Sequence, residues 1–269
     1  MAFTAKTLTL AIAASAMLGL SAVAAEAARC GKSAAGFEAW KAEFAREAAA
    51  NGVGQRGLAA LAGTRYSTKT IGVDRAVRKA FSGSVDSFMK RRGGAAIISK
   101  GRSLKKQNAA LFASIEKRYG VPAGPLLAIW GMETGFGAAM GNQNTVSAVA
   151  TLAYDCRRPE FFTNHLYGAL KLVDRGGLSA GSVGAAHGEI GHTQFLPANV
   201  LKYGVDGNGD GRVDLRNKAD ALASTANFLR GHGYGGGPAS ANRGAIAGWN
   251  AASVYQQAII IMADAIDGG

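Results

Sequence analysis

Hydrophobic residues in this chain recur mainly at the spacing of amphipathic helices. Phe37, Trp40 and Phe44 lie three and four positions apart, with Gly52 behind them, and this spacing places their side chains on one helix face. Three later segments repeat it, at Leu104, Leu111, Phe112, Ile115 and Tyr119 before Gly120, at Leu222, Ala226 and Leu229 before Gly231, and at Tyr255, Ile259, Met262 and Ile266. Each segment is predicted to form one helix. Runs of alternating β-branched residues are few, so the pattern predicts a mainly α (α+β) fold with a small sheet.

One further segment is apolar on all sides, which is typical of a buried helix. Pro122 and Pro125 can open this helix. Its apolar residues are Leu126, Leu127, Ile129, Trp130 and Met132. The segment is therefore predicted to lie in the core.

Glu133 is the one charged residue of this buried segment. It shares a helix face with Ile129 and Trp130, and Gly135 and Gly137 are expected to end the helix directly after it. The carboxyl would then emerge beside a glycine-lined cleft. Apolar surroundings raise the pKa of a carboxyl, which suits a general acid near neutral pH. The alternative is a glutamate that turns to solvent at a helix end.

Glycine makes up 38 of the 269 residues, but there are only 5 prolines and no Gly-X-Y period, which excludes a collagen-like chain. The glycines cluster at 135–141, 204–211 and 231–237, where loops are expected. Lysine and arginine outnumber acidic residues by 30 to 18, for a net charge of +12. That charge favours a polyanionic partner such as nucleic acid, an acidic envelope surface or an acidic polymer.

The first 28 residues have the pattern of a secretory signal peptide. Lys6 supplies the basic end, residues 8–23 form an apolar run, and Ala25-Glu26-Ala27 is a small-x-small cleavage pattern. The run is short for the ~20 residues that a membrane-spanning helix needs, which disfavours an anchor. The sequence therefore predicts a signal peptide over 1–28, one mature domain over 29–269, and a periplasmic or secreted protein.

The chain contains two cysteines, Cys30 and Cys156. In an exported protein an isolated pair most economically forms one disulfide, which would tie the mature N-terminus to the middle of the fold. A lipid-modified Cys30 is the weaker alternative, because Arg29 stands where that signal has a small residue.

Four motifs, in order and at matching spacing, resemble the lytic murein transglycosylase B family. They are IWGMETGFG at 129–137, ATLAYD at 150–155, RRPEFF at 157–162 and GHTQFLP at 191–197. The resemblance extends over most of residues 35–265. It implies a lysozyme-like helical domain with a small β/loop lobe, and cleavage of peptidoglycan glycan strands with Glu133 as the sole acid/base.

Other cleft residues follow from the resemblance, position by position. It implies substrate contacts for Gln194 at the sugar site, for the basic pair Arg157 and Arg158 near the peptide stems, and for Phe228, Trp249, Asn250 and Tyr255. Phe228 stands where the family tends to have a tyrosine. The alternatives are core packing for the aromatic residues at helical spacing, ordinary surface cations for the arginines, and backbone hydrogen bonding for Gln194.

Residues 181–191 keep the family pattern only in part. His187 is unexpected there, and no cysteine or second histidine lies nearby at the spacing of a zinc site. Glu189 is the nearest rival for a second catalytic carboxylate, but its Gly-Glu-Ile-Gly context favours a tight structural turn.

Residues 206–211 match the start of an EF-hand calcium loop. Asp206, Asn208 and Asp210 supply oxygens at positions 1, 3 and 5, with glycine at position 6. Arg212 would offer its backbone carbonyl at position 7, and Asp214 could act through water. Position 12 is Asn217 instead of glutamate, and the resemblance implies that Asp220 closes the site. The alternative is an Asx-Gly turn without metal.

The number of carboxylates in the cleft separates the candidate reactions. Hydrolytic glycosidases usually use two, whereas the sequence offers Glu133 alone, which favours a lytic cleavage that leaves 1,6-anhydroMurNAc ends. A hydrolytic muramidase with Glu189 or Asp155 as partner is the enzymatic alternative. The other is a non-catalytic, calcium-stabilised module that binds peptidoglycan.

The expected partners follow from export and from the resemblance. The sequence predicts a monomer that acts on peptidoglycan glycan strands, with structural Ca²⁺ and no organic cofactor. Export and scattered basic residues without a recognition motif disfavour nucleic acid. No segment after the leader could span a membrane, so stable membrane insertion is not expected.

Overall fold

Thirteen α-helices dominate the computed structural model, which describes residues 30–268 except the side chains at positions 78 and 79. The helices are α1 (Phe37–Ala50), α2 (Gln55–Ala62), α3 (Thr68–Ala80), α4 (Val85–Arg92), α5 (Gly94–Gln107), α6 (Ala109–Tyr119), α7 (Ala123–Thr134), α8 (Thr145–Tyr154), α9 (Pro159–Asp174), α10 (Pro197–Tyr203), α11 (Lys218–Gly231), α12 (Arg243–Trp249) and α13 (Ser253–Asp267). The predicted signal peptide and the start of the predicted mature domain at residue 29 lie outside the described residues.

The sheet is as small as the sequence predicts. Strands β1 (Gln143–Asn144) and β2 (Val183–Gly184) pair antiparallel, with Gln143 opposite Gly184. Two short 3₁₀ helices, Ala34–Gly36 and Ala239–Asn242, complete the regular structure of the described part. The prediction of a mainly helical fold is confirmed.

Helix α7 lies at the centre of the larger hydrophobic core. Every residue from Ala123 to Thr134 except Glu133 is buried, because α5 and α13 pack against α7 with their own apolar faces. Burying apolar side chains contributes about 25 cal/mol per Å². Helix α7 is apolar on all sides because it packs against other helices and is buried along its length.

The predicted helix from Leu104 to Tyr119 is two helices in the structure. Leu104 belongs to α5, and α6 begins after Asn108, whose backbone leaves the helical region at φ −121° and ψ 34°. The Asn108 side chain donates a hydrogen bond to the Leu104 carbonyl at 2.9 Å. The side chain thus satisfies a carbonyl at the end of α5, and asparagine commonly competes with helical hydrogen bonds in this way.

A second core joins α1 and α2 to α8 and α9. Phe37, Trp40 and Phe44 are all buried there, as their spacing predicts. The Cys30–Cys156 disulfide connects the start of the described chain to the turn between α8 and α9, so the predicted disulfide is confirmed. Beside it, the Gly31 amide donates to the Tyr154 carbonyl at 2.9 Å.

No helix within residues 30–268 is both long and apolar enough to cross a membrane.

Candidate active site

Glu133 occupies the last turn of α7, where the helix leaves the core. Gly135 ends the helix in the left-handed conformation, with φ 59°, and its amide donates to the Gly131 carbonyl at 3.0 Å. Glycine adopts this conformation without the steric cost of a Cβ. The predicted break after Glu133 is therefore present, and the carboxyl is carried by a rigid helix end.

Two side chains from the C-terminal part of the chain donate hydrogen bonds to Glu133. The Tyr255 hydroxyl lies 2.6 Å from Oε1, and the Trp249 Nε1–H group donates to the same oxygen at 3.2 Å. Tyr255 belongs to the first turns of α13, and Trp249 is the last residue of α12. Oε2 accepts no hydrogen bond from the described residues, so it is the oxygen free to carry an acidic proton.

The pKa of Glu133 is raised above the ordinary value for a glutamate. The main cause is desolvation: the residue is half-buried overall, but its carboxyl is enclosed by protein atoms, which disfavour the ionised form. The negative charge of Glu189 adds to this effect. Hydrogen bonds from Tyr255 and Trp249, together with the charge of Arg92, act in the opposite direction. On balance the carboxyl holds its proton more strongly, as a general acid requires.

Glu133 opens into a cavity of about 220 Å³. The wall is formed by residues from six parts of the chain: Glu133, Glu189, Gln194, Phe195, Leu196, Asn199, Phe228, Trp249 and Asn250. Carboxyl, amide and aromatic groups therefore face one space, which is the composition expected of a site for a polar ligand with apolar faces.

The aromatic part of the wall is tightly packed. Phe195 and Phe228 meet the Trp249 ring edge to face, at centroid distances of 5.1 and 5.0 Å. Phe228 is only 4% exposed and stacks on His232 at 4.0 Å. Phe228 therefore belongs both to the core and to the cavity floor, while the partly exposed Trp249 presents more of its ring to the cavity.

Two non-glycine residues near the cavity have left-handed backbones, Phe136 with φ 64° and Gln194 with φ 61°. Such conformations are costly for non-glycine residues and cluster at functional sites. The Gln194 side chain stabilises its own turn, because Nε2 donates to the Gly191 carbonyl at 2.7 Å. This leaves the Gln194 carbonyl oxygen as the group available to a ligand.

Sequence reasoning missed His192, which connects the Gln194 turn to α7 through two hydrogen bonds. Its Nδ1 accepts a hydrogen bond from Trp130 Nε1 at 3.1 Å, and its carbonyl accepts one from the Thr134 hydroxyl at 2.6 Å. Both donors belong to α7. Its position in the GHTQFLP motif, directly before Thr193 and Gln194, was the available signal.

Arg157 and Arg158 are not among the cavity-lining residues and instead contact a buried aspartate. Both form ion pairs with Asp74 on α3, and Arg75 pairs with Asp74 at 3.0 Å as well. Arg75 also forms a bidentate pair with Asp155, at 2.6 and 3.0 Å. The two acidic residues are therefore occupied by arginines, and Asp155 is not among the described residues that line the Glu133 cavity.

Glu189 lies in the predicted turn and in the cavity wall at once. The turn forms through a hydrogen bond from the Gly188 amide to the Ala185 carbonyl at 3.0 Å, and Ile190 then pairs with Phe195. The turn interpretation from the sequence was therefore incomplete. The path of the chain, which brings residues 189–196 over the end of α7, could not be read from the local pattern.

The loop between α10 and α11 contains the predicted calcium residues. Asp206 accepts backbone hydrogen bonds from Gly209 at 2.6 Å and Gly211 at 2.7 Å, and the fully buried Asp220 accepts one from Asp214 at 2.8 Å. Asn208 and Asp210 are exposed and bond to each other through their side chains at 3.0 Å.

The predicted ligands of this loop offer carboxylate and amide oxygens, and oxygen ligands suit Ca²⁺. However, the carboxylates serve the loop's own amides, and among residues 30–268 no group of three or more His, Cys, Asp or Glu side chains is arranged to hold a metal ion. The arrangement seen here is thus an Asx-rich turn with the composition of a calcium loop.

Comparison with protein families matches residues 36–243 to the Transglycosylase SLT domain (SLT_2). The match covers most of the chain, which therefore belongs to this family of lytic murein transglycosylases. Among curated proteins, the membrane-bound lytic murein transglycosylase B of Escherichia coli (strain K12) is 36% identical over 118 residues. That alignment covers 43% of this chain and 33% of the relative, so it spans about a third of the relative's length.

Solved structures with the same fold include two transglycosylases. SltB3 from Pseudomonas aeruginosa, in complex with NAG-anhNAM-pentapeptide, has a TM-score of 0.77 and 28% identity, and the match covers 89% of this chain and 80% of that one. Slt35 from Escherichia coli, in complex with calcium, has a TM-score of 0.74 at 20% identity, over 84% of this chain and 92% of that one. The resemblance found in the sequence is confirmed.

Among the predicted site residues, the structure brings six together: Glu133, Gln194, Phe228, Trp249, Asn250 and Tyr255. Arg157 and Arg158 are held separately by Asp74. Phe195, Leu196, Asn199 and Glu189 join the cavity although the sequence did not select them as substrate-binding residues.

Proposed function

We propose that the protein cleaves the MurNAc–GlcNAc β-1,4 bond of peptidoglycan without water and leaves 1,6-anhydroMurNAc ends. Family membership supports a lytic transglycosylase. The observation that carries the finer proposal is the Glu133 carboxyl, which has a raised pKa, a fixed Oε1 and an open Oε2 at a cavity of mixed polar and aromatic groups.

The reaction requires one group to act first as an acid and then as a base. The protonated Glu133 gives its proton to the glycosidic oxygen as the bond from that oxygen to the muramyl C1 breaks. The resulting carboxylate accepts the proton of the C6 hydroxyl while the C6 oxygen bonds to C1. The proton lost in the first step is regained in the second, so Glu133 returns to its starting state and no water is consumed.

Tyr255 and Trp249 would stabilise the carboxylate form of Glu133, which is formed in the first step and used in the second. Their hydrogen bonds hold Oε1 and stabilise the negative charge that develops when Glu133 loses its proton. Burial acts in the other half of the cycle by favouring the neutral acid. The two influences therefore act on opposite protonation states of Glu133.

Substrate contacts are proposed for the rest of the cavity. The side-chain carbonyl of Gln194, the side-chain amide of Asn250 and the exposed part of Trp249 line the cavity and would contact sugar hydroxyl, acetamido and ring groups. Phe228 is only 4% exposed, so it would act mainly by packing against Trp249 and holding that ring in place. For Arg157 and Arg158, a contact with the peptide stems would add to their ion pairs with Asp74, because both side chains remain partly exposed.

A hydrolytic muramidase is the second candidate function, and Glu189 is the observation that favours it. Its carboxylate shares the cavity with Glu133, and a second carboxylate is what a hydrolase uses to activate water or to form a covalent intermediate. Asp155 is less suited to that role because it is bound by Arg75. The third reading, a non-catalytic binding module, requires no turnover at all.

Purified peptidoglycan sacculi test for turnover. We expect the wild-type protein to release soluble fragments, and Glu133→Gln to reduce the rate by about 10²–10⁴-fold while the fold remains intact, since the amide keeps the shape but loses the proton. Glu43→Gln on α1, which is exposed, is the matched control and should retain activity. Retention of more than about a tenth of wild-type activity in Glu133→Gln would contradict the assignment.

We also infer that the loop between α10 and α11 binds structural Ca²⁺. The support is the spacing of Asp206, Asn208 and Asp210, the buried carboxylate of Asp220, and the backbone carbonyl of Arg212. Binding would require the exposed Asn208 and Asp210 side chains to turn from each other toward the ion. The ion would act on the loop and not in the reaction.

We further infer that the protein works outside the cytoplasm, as a monomer, with the mature domain beginning at residue 29. The Cys30–Cys156 disulfide is typical of an oxidising compartment. The net charge of +12 suits contact with an anionic wall polymer.

A further inference from the structure

A charged cluster connects the cavity wall to the arginine pair that follows Cys156. Glu189 Oε1 lies 3.1 Å from His187 Nδ1, and Glu189 Oε2 accepts the His187 backbone amide at 2.9 Å. On the other side of the imidazole, Nε2 lies 3.4 Å from Asp74 Oδ1. His187 therefore stands between two carboxylates, one in the cavity and one in the protein interior.

The surroundings of His187 favour its charged form on balance. Burial opposes the charge, but the hydrogen bond and charge of Glu189 and the charge of Asp74 outweigh it and raise the pKa of His187, while Arg158 opposes them weakly. The Phe162 ring lies parallel to the imidazole at 6.4 Å. Nε2 is buried and has no hydrogen-bond partner among the described residues, so the nearby Asp74 charge is its main stabilising neighbour.

The groups that face Glu133 come from four elements. Tyr255 approaches from α13, Trp249 from α12, Arg92 from the end of α4, and Glu189 from the turn before residue 190. The first three favour the ionised carboxylate. Glu189 is the charged group in this set that favours the protonated acid.

One more titratable group faces Glu189, the buried His165 on α9. Burial lowers the pKa of His165 to about 4. It is therefore neutral near pH 7 and adds no charge beside Glu189 there. His187 is the histidine that can compensate the Glu189 charge in that range.

We propose that Glu189 is a positioning residue for the reaction: its negative charge, held at the cavity by His187, keeps the proton on Glu133 until a sugar oxygen takes it. The protonation state of His187 determines how strongly the Glu189 charge opposes ionisation of Glu133. A protonated His187 cancels part of it, and a neutral His187 leaves it uncompensated. This inference rests on the proposed role of Glu133 as acid/base.

The two members of the pair therefore have opposite effects on the same property. Removing the Glu189 charge makes Glu133 lose its proton at lower pH, because a like charge no longer opposes ionisation. Removing the His187 charge has the reverse effect, because Glu189 then acts without compensation. A purely structural role for either residue would not produce opposite shifts.

The test measures kcat/KM against pH for a soluble, uncross-linked peptidoglycan oligomer. The alkaline limb of this profile is expected to follow the loss of the Glu133 proton. Glu189→Gln should move it to lower pH by about 1 unit, the low end of the range for one neighbouring charge. His187→Gln, which can still donate a hydrogen bond to Glu189, is expected to move it to higher pH. Glu189→Asp, which keeps the charge, should stay near the wild-type limb.

Glu43→Gln serves as the matched control because it removes the same charge from an exposed position on α1, and it should keep the wild-type limb. Thermal unfolding of each variant checks the fold, and His187→Asn replaces His187→Gln if the latter does not fold. An unmoved limb in Glu189→Gln, a shift in the same direction for both residues, or an equal loss at every pH would overturn the proposal.

Glu133→Gln in the same assay separates this inference from the proposed function. Activity in Glu133→Gln would contradict the proposed function itself. An inactive Glu133→Gln together with an unmoved limb in Glu189→Gln would overturn only the role of Glu189. Complete loss of activity in Glu189→Gln would also overturn it, and would favour the hydrolytic reading.

Discussion

At the Glu133 carboxyl, burial and hydrogen bonding act on one pKa in opposite directions. Burial favours the neutral acid, while Tyr255 and Trp249 favour the carboxylate through their hydrogen bonds to Oε1. A single group that must be an acid in one step and a base in the next needs both influences. The surrounding side chains are therefore as informative about the chemistry as the carboxyl itself.

Tyr255→Phe tests this balance at a single oxygen. Loss of the hydroxyl removes a hydrogen bond to the charged form, so the pKa of Glu133 should rise and the alkaline limb of kcat/KM should move to higher pH. We expect the maximal rate to fall, because the carboxylate formed in the first step is less stabilised. Tyr119→Phe is the control, since the Tyr119 hydroxyl is buried without a hydrogen-bond partner in the described chain. An unchanged profile for Tyr255→Phe would contradict the assigned role.

Residue-scale prediction from sequence succeeded where the local pattern held the signal. Glu133 was found because it is the one charge in an apolar helix followed by glycines. Glu189 was found only as a rival, because nothing in Gly-Glu-Ile-Gly shows that its side chain faces the end of α7. His192 was missed because its contact with Trp130 joins residues 62 positions apart.

At the scale of elements, Asp74 joins three parts of the fold. From α3 it binds Arg157 and Arg158 at the start of α9 and lies beside His187 in the turn that carries Glu189. Burial by itself would raise the pKa of Asp74, but the hydrogen bonds and charges of the two arginines lower it below 3.8. The basic pair predicted near the peptide stems thus has a structural partner that the sequence did not reveal.

Asp74→Asn should destabilise the fold by about 3–5 kcal/mol at pH 7, because arginines and a histidine lose their buried counter-charge. Since the folded pKa of Asp74 lies below its ordinary value, its stabilisation is present at neutral pH and is lost as pH falls through the folded pKa. The difference in unfolding free energy between variant and wild type should therefore narrow below about pH 4. Urea unfolding at several pH values measures it. Asp86→Asn, exposed on α4, is the control, and an equal effect there would contradict the argument.

The loop between α10 and α11 has the composition of a calcium site without a converged metal site. We expect added Ca²⁺ to raise the melting temperature and EDTA to reverse the gain, because the ion would bind the folded loop more tightly than the unfolded chain. Asp210→Ala should cancel the gain, while Glu43→Ala should keep it. A melting curve that does not respond to Ca²⁺ would leave the loop as an Asx turn.

Element boundaries show where helical periodicity is insufficient. The spacing predicted α1, α7, α11 and α13 because each keeps one continuous apolar face or is buried throughout. It merged α5 and α6, because Leu104 keeps the spacing across Asn108 while the backbone turns there. The spacing of apolar residues indicates which helix faces are buried. It does not predict the backbone conformation of a single capping residue such as Asn108.

For the molecule as a whole, the disulfide and three hydrophobic clusters of the described chain hold distant segments together. Cys30 and Cys156 are 126 positions apart, and closing a loop of this size stabilises a fold by about 4–5 kcal/mol in the chain-entropy model. The disulfide lies next to the turn that carries Arg157 and Arg158. The α7 and α13 core carries Glu133, and a third, smaller hydrophobic cluster contains Phe195 and Phe228, the two buried aromatic residues that line the cavity.

In the proposed reaction the attacking oxygen belongs to the substrate and not to water. Digestion of peptidoglycan in water enriched in oxygen-18, followed by mass spectrometry of the new sugar ends, distinguishes the two oxygen sources. We expect 1,6-anhydroMurNAc ends without label, about 18 mass units lighter than hydrolytic ends because no water is added. Label in most of the new ends would contradict it, and would make Glu189 the partner of Glu133 in hydrolysis.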